Sequence, residues 1–372
     1  MSRITEALPD LRSLITGLAA DFRVWFRRGP RTLDELESVV SVLLAIVLAH
    51  LLGARNIGWA AFSGYMVMRA QFSESLMRGC LRVIGTALGA VAAWSIAPYV
   101  VQSPLRLCLA LGLVGLGTLY MALIGKRSYA WLFTGLTFAM VLIDGMAFPH
   151  ASLAGFAQSR FVEIFTGTFA AVLVSGVSAV TIRRRLRMPQ TDRSVQTAVR
   201  HPPIWHRAAF LHALQGAVAL ALIPWVWAMF HIEALSQSST TIMAVMMVPL
   251  ASLSSTSRAP SNRLLHRFIG CTVGGLLATG ILLLAHPWPW LMVLAMCAGV
   301  AAGRHIENGR LGIGYIGTQF VLAFLVVLVP DSYASADIRP GVERLFGILV
   351  GMLLLEPVRW TFRRATAALK VA

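Results

Sequence analysis

Four arginines give the first chemical signal. Arg78 and Arg82 stand about one helical turn apart, and Arg263 and Arg267 repeat the pair in the second half of the chain. Arginines three or four apart share a helix face. A guanidinium keeps its charge and can grip a carboxylate through two parallel hydrogen bonds. Four of them at one mouth would raise the local concentration of an organic anion. Two glycines follow each pair, Gly85 and Gly89 in one copy, Gly270 and Gly274 in the other, so R-x-x-x-R-x-x-G-x-x-x-G occurs twice. Glycines four apart let a second helix come close. The plainer reading of the same arginines is anchoring at a membrane edge, with their heads among lipid phosphates. Duplication preserves the spacing under either reading.

Carboxylates form a second duplicated signal. Val162-Glu163 precedes Gly167, and Val342-Glu343 precedes Gly347 at the same spacing. An ionised carboxylate in lipid is costly, so each should face a cavity or pair with a cation. Arg160 and Arg344 stand close by in sequence. The two readings are a proton-coupling carboxylate and an interfacial ion pair or helix-start charge. Asp144 is a third candidate, without a duplicate. His50 and His212 suit either a proton relay or packing. Met243, Met246 and Met247 could line an adaptable aromatic-binding cavity or fill packing gaps.

Other chemistries lack their residues. His305, Glu307 and Asn308 show no metal-binding spacing, and Cys80, Cys108, Cys271 and Cys297 are too scattered for a metal or disulfide framework. There is no phosphate-binding G-x-x-x-x-G-K-[ST] run and no Ser/His/Asp arrangement of a hydrolase. No enzyme activity, cofactor or metal is expected. A basic groove with interleaved aromatics is also absent, so the net charge of +16 does not imply nucleic acid.

The elements that must position these residues are membrane helices. The chain is 57% hydrophobic and 13% charged, against about 25% charged in soluble domains. A span needs about 20 apolar residues. Apolar runs occupy 37–53, 57–70, 80–100, 105–124, 128–146 and 157–182, then 208–228, 236–253, 265–285, 288–303, 311–329 and 340–358. The runs at 57–70 and 288–303 are the shortest fits. The expected fold is an all-α integral membrane protein of about twelve transmembrane helices, two parallel six-helix repeats with both termini cytoplasmic. Its parts are a segment at 1–35, repeats at 36–182 and 208–360, a basic linker at 183–207 and a basic tail at 361–372. Leu8, Leu11, Ile15, Leu18, Phe22 and Trp25 give the first segment an amphipathic helix on the inner membrane surface. A disordered arm is the alternative.

Charge supports that orientation. Inner loops hold Arg69, Arg78, Arg82, Lys126, Arg127 and the 183–187 cluster, then Arg258, Arg263, Arg267, Arg304 and Arg310. Outer segments hold Arg55, Arg106, Arg160, Arg339 and Arg344, with the acids Asp144, Glu163, Glu233, Asp331, Asp337 and Glu343. Trp225, Trp227, Trp288 and Trp290 fit an outer aromatic belt. An even number of helices per half makes the duplication parallel, with a pseudo-twofold axis along the membrane normal. Such an axis would bring Arg82 and Arg267 together. A weaker echo pairs Gly135 and Phe138 with Gly317 and Phe320.

The layout resembles the fusaric acid resistance protein-like (FUSC) family, which overlaps the aromatic acid exporters. The likeness rests on Arg82, Gly85, Thr86 and Gly89, with Arg267, Gly270 and Gly274, and on Glu163, Gly167, Glu343 and Gly347. Cys271 stands where the second copy should have threonine, and only a short linker joins the halves where larger members carry a cytoplasmic domain. The resemblance implies proton-driven efflux of aromatic or other organic carboxylates across the bacterial inner membrane. Arg78, Arg82, Arg263 and Arg267 would meet the substrate, and Glu163, Glu343 or Asp144 would take protons. Membrane lipids surround such a protein, and some exporters of this type work with a periplasmic adaptor and an outer-membrane channel. A passive anion channel of the same architecture and a non-transporting scaffold of an envelope assembly are the rival readings. A major-facilitator transporter is disfavoured, because the loop 71–78 lacks the G-x-x-x-D-R-x-G-R-R signature.

Overall fold

The computed structural model describes residues 11–23, 25, 29–148, 152–186, 205–232, 235–255, 259–285, 288–309, 311–329 and 339–371. Linker residues 187–204, with Arg258, Arg310, Glu233, Asp331 and Asp337, lie outside them. Among the described residues all regular structure is helical. The helices are α1 (Leu11–Arg23), α2 (Pro30–Leu51), α3 (Ile57–Val67), α4 (Phe72–Val100), α5 (Pro104–Ile124), α6 (Ser128–Ala147) and α7 (Leu153–Ser178), which runs into a π-helical turn at Ala179–Arg183. The second half has α8 (Arg207–Ala221), α9 (Ile223–Phe230), α10 (Leu235–Met246), α11 (Leu250–Ser255), α12 (Ala259–Ala285), α13 (Pro289–Glu307), α14 (Gly314–Leu328) and α15 (Arg339–Val371). Proline at the first position starts α2, α5 and α13, where its missing N–H would have had no helical partner.

Eight helical stretches are long and apolar enough to cross a membrane: α4, α5, α6, α7 with its π turn, α8 with α9, α12, α13 and most of α15. The remaining four apolar runs are helical too, but short or charged. The first turns of α2 carry Asp34, Glu35 and Glu37. α3 has 11 residues and α10 has 12, and a helix of that length covers about half of a hydrocarbon core about 30 Å thick. α14 has 15 residues. The run at 288–303, short in sequence, forms the 19-residue α13. The break falls instead at 247–249, just after α10.

The chain forms two compact units. Unit one holds Met1–Ser75, Thr166–Met188 and Ser261–Gly341; unit two holds Leu76–Phe165, Pro189–Pro260 and Val342–Ala372. In unit one α2 packs on α13 and α3 on α14; in unit two α8 packs on α5 and α10 on α6. The leading two helices of each sequence half thus pack with the fourth and fifth helices of the other half. The halves are repeats of sequence, and each compact unit draws on both. Unit one closes around an apolar core that includes Val42, Phe62, Val321, Phe324, Leu325 and Leu328.

Candidate functional site

The glycines of the repeated motif lie at helix crossings inside each unit. A Cβ on Gly85 or Gly89 would collide with the backbone carbonyls of Ala130 and Thr134 on α6. On Gly270 it would lie 2.6 Å from the Ile316 carbonyl of α14, and on Gly274 it would collide with that of Phe320. Backbone on the facing helix cannot rotate away. Gly89→Ala is therefore expected to lower stability by about 1–3 kcal/mol, read as a lower melting temperature of the purified protein in detergent. Gly280→Ala, with nothing within 4 Å of the new methyl, should leave it unchanged.

These crossings carry the arginines onto the facing helix. Arg82 belongs to unit two and Arg267 to unit one, and their exposures are 1% and 2%. The Arg82 guanidinium lies 4.1 Å from the Phe133 ring centre and donates to the Tyr129 hydroxyl at 3.1 Å. Arg78 lies 5.8 Å over Tyr129. In the other copy Arg263 lies 4.4 Å over Tyr315, and Arg267 donates to Gln319 Oε1 at 2.5 Å. Tyr129 matches Tyr315 and Phe133 matches Gln319. That correspondence lies one helical turn away from the Gly135/Gly317 echo in the sequence. The aromatic partners escaped sequence reading because they sit on a different helix from the motif.

The candidate acids divide. Asp144, buried near the end of α6, lies in unit two with Arg160 and Glu163 of α7 and with α10, which packs on α6. Glu163 is fully buried, pairs with Arg160 at 3.3 Å and accepts a hydrogen bond from the Ser159 hydroxyl. Glu343 is half-buried near the start of α15. His50 is exposed at the end of α2. His212 is buried on α8, with Nε2 2.9 Å from the Met246 carbonyl.

That histidine points to a feature the sequence did not reveal. α3 and α10 hold equivalent places in the two repeats, and each is a half-length helix whose end is met by a side chain from a neighbouring helix. His212 serves the last carbonyl of α10. Arg304 of α13 donates to the Met68 carbonyl just past α3, at 2.9 Å. Short helices at corresponding places in two repeats are where transporters form their binding sites.

Arg304 also centres an ionic cluster confined to unit one. It grips Asp34 through two bonds of 2.8 and 3.2 Å and lies 3.3 Å from Glu307. Glu307 accepts from the Tyr65 hydroxyl at 2.6 Å and lies 3.6 Å from Arg69. Glu37 is held bidentately by Arg183 at 2.9 and 2.6 Å. Burial pushes the Asp34 carboxyl up, but Arg304, Asn308 and Arg69 outweigh it and hold it below its ordinary value. Burial keeps Glu35 above its ordinary value despite His305 beside it. Both precede the apolar run that starts at residue 37. The start of α2 and the ends of α3, α7 and α13 therefore meet at one place. α1 joins them through Asp21, which is paired with Arg31 at 2.8 Å, and through Phe22, 5.1 Å from the His305 ring. Residues 11–23 thus form a helix whose last turn is held against the protein. Asp34 and Glu35 were missed because they fall ahead of the apolar run, and Glu37 because it is the run's first residue.

The family described as fusaric acid resistance protein-like matches residues 44–174 and again 227–356. The chain belongs to that family. The two matched stretches of the fusaric acid resistance protein-like model contain Arg82 and Glu163 in the first and Arg267 and Glu343 in the second. A curated relative, "Uncharacterized transporter GOX0755" of Gluconobacter oxydans (strain 621H), is 27% identical over 161 residues, 41% of this chain. The match spans 22% of that protein's length. No solved structure matches significantly. With its eight apolar helices, this fusaric acid resistance protein-like chain is a multi-pass membrane protein.

Proposed function

We propose that the protein is an exporter of organic anions, aromatic carboxylic acids in particular, across the bacterial inner membrane, driven by the proton gradient. The observation that carries this reading is the repeated arginine–aromatic pairing. Arg78 and Arg82 lie over Tyr129 and Phe133, and Arg263 lies over Tyr315. A guanidinium beside a ring offers an aromatic acid both a charge partner and a flat face. Membership of the family and the relative named as a transporter support transport in general.

In this reading all twelve apolar runs cross the membrane and both termini are cytoplasmic. The meeting of the start of α2 with the ends of α3, α7 and α13 supports alternate crossing, because those four points fall on the inner side of one topology. The short α3 and α10 complete their crossings through the segments that follow them. Arg78, Arg82, Arg263 and Arg267 receive the anion from the cytoplasm, and the outer carboxylates take up protons. The protein works among membrane lipids, and a periplasmic adaptor and outer-membrane channel would extend the route.

Cells lacking the protein, loaded with labelled 4-hydroxybenzoate, are expected to retain the label longer than cells carrying it. Equal retention in the two strains would overturn this substrate class.

A further inference from the structure

We propose that His305 and Glu35 form a proton site that latches α1, so that docking of this helix takes up one proton and a rise in pH releases it. The latch goes beyond the transport reading and stands without it.

Every group involved belongs to unit one. His305, near the end of α13, and Glu35, in the first turns of α2, are 1% and 2% exposed. Both ring nitrogens of His305 face an acceptor. Nε2 lies 3.1 Å from the backbone carbonyl of Asp21, in the last turn of α1. A carbonyl can only accept, so Nε2 carries a hydrogen. Nδ1 lies 2.6 Å from Glu35 Oε1. A neutral imidazole has then spent its one hydrogen on Nε2, and the contact with Glu35 needs another. It sits on Nδ1, giving imidazolium beside carboxylate, or on Glu35, giving a carboxylic acid that donates to Nδ1. In either form the pair holds one proton more than a neutral histidine beside an ionised glutamate.

Without α1 that extra proton is not required. The ring can carry its hydrogen on Nδ1, donate to the carboxylate and leave Nε2 to water. Docking therefore draws one proton from solution. The docked state binds more protons, so acid favours docking and base opposes it. Burial, which keeps Glu35 above its ordinary value, helps the pair to retain the proton.

α1 and the residues just after it complete the site. The Trp25 indole donates to Glu35 Oε2 at 2.9 Å. The rings of Phe22 and Trp25 lie 5.1 and 5.5 Å from that of His305. The last carbonyls of a helix lack helical donors and favour a cation nearby. A Cβ on Gly17 would lie 2.8 Å from Leu311 Cδ2, so α1 also packs closely on the chain after α13.

The other charged groups here are matched in pairs. Arg31 donates to both carboxylate oxygens of Asp21 at 2.9 and 2.8 Å and to the His305 carbonyl, with its Nε 3.8 Å from Glu35. Arg304 lies 2.8 Å from Asp34 and 3.3 Å from Glu307, and Arg69 lies 3.6 Å from Glu307. Asp21, Asp34 and Glu307 thus each have an arginine as closest cation, whereas Glu35 has the histidine. The latch ties the start of α2 to the end of α13. In the topology proposed above that end faces the cytoplasm, so the pH sensed is the cytoplasmic one.

The test is hydrogen–deuterium exchange of the purified full chain in detergent from about pH 6 to about pH 9, with rates corrected for the intrinsic pH dependence of exchange. A helix of 13 residues is marginal alone, so protection of the α1 amides reports docking. In the wild type that protection should fall as pH rises, by up to about tenfold per pH unit, while α5 stays unchanged. Glu35→Gln should keep α1 protected at every pH, because its amide can donate to Nδ1 while its carbonyl accepts from Trp25. His305→Ala should lose the protection at every pH. Wild-type protection that ignores pH, an equal fall in α5, a pH dependence that persists in Glu35→Gln, or full protection in His305→Ala would overturn the proposal. Should His305→Ala fail to fold, Glu35→Gln decides alone. No transport is measured, so failure of the latch and failure of the export reading are separate results.

Discussion

Arg304→Ala is expected to abolish most folded protein. Arg304 is 2% exposed, and it holds Asp34, faces Glu307 and bonds the open end of α3. Removing it leaves a buried aspartate without its closest cation and takes one of two donors from the Met68 carbonyl, with Arg69 the other at 2.9 Å. Breaking such a pair costs about 3–5 kcal/mol, comparable to the whole stability of a marginal domain. Unit one should fail first, because the start of α2 and the ends of α3 and α13 all meet this side chain. Arg304→Lys should recover part of the yield, since one ammonium can replace the charge but not the fork. Size-exclusion profiles of the detergent-extracted variants read the effect. A monodisperse Arg304→Ala protein with wild-type melting would show that the cluster does not hold unit one together.

The second large effect concerns transport. Arg82→Ala together with Arg267→Ala should reduce export at least about tenfold, because one charge-assisted contact to a carboxylate is worth about 1.5–3 kcal/mol. The single variants should differ. Arg82 lies against a ring and a phenol, and Arg267 is held by an amide. Arg82→Lys loses the flat stacking surface that Phe133 uses, whereas Arg267→Lys keeps a donor for Gln319. Full export by the double variant would reduce all four arginines to membrane anchors. Melting temperatures of the same variants separate a transport defect from a folding defect.

Both arginine pairs and all four glycines were legible in the sequence, because they share one helix and one spacing. Partners on other helices were not. Tyr129, Tyr315, Phe133 and Gln319 come into view only when α4 lies on α6 and α12 on α14. Hydropathy located the apolar runs but not the end of α10 at Met246, since Met247 and Val248 are as apolar as the helix before them. The exchange of leading helices between the sequence halves was also hidden, because periodicity tells which face is buried and not which helix buries it. Asp34, Glu35 and Glu37 could have been found. Three acids at the start of an otherwise apolar helix must meet cations, and Arg183 and Arg304 are those cations.

The most direct measurement uses purified protein in sealed proteoliposomes containing labelled 4-hydroxybenzoate, with a proton gradient imposed across the membrane. Release is expected that the gradient accelerates, that a protonophore slows to the leak rate, and that Arg82→Ala with Arg267→Ala largely removes. Release that is absent, or equal with and without the gradient, would contradict it.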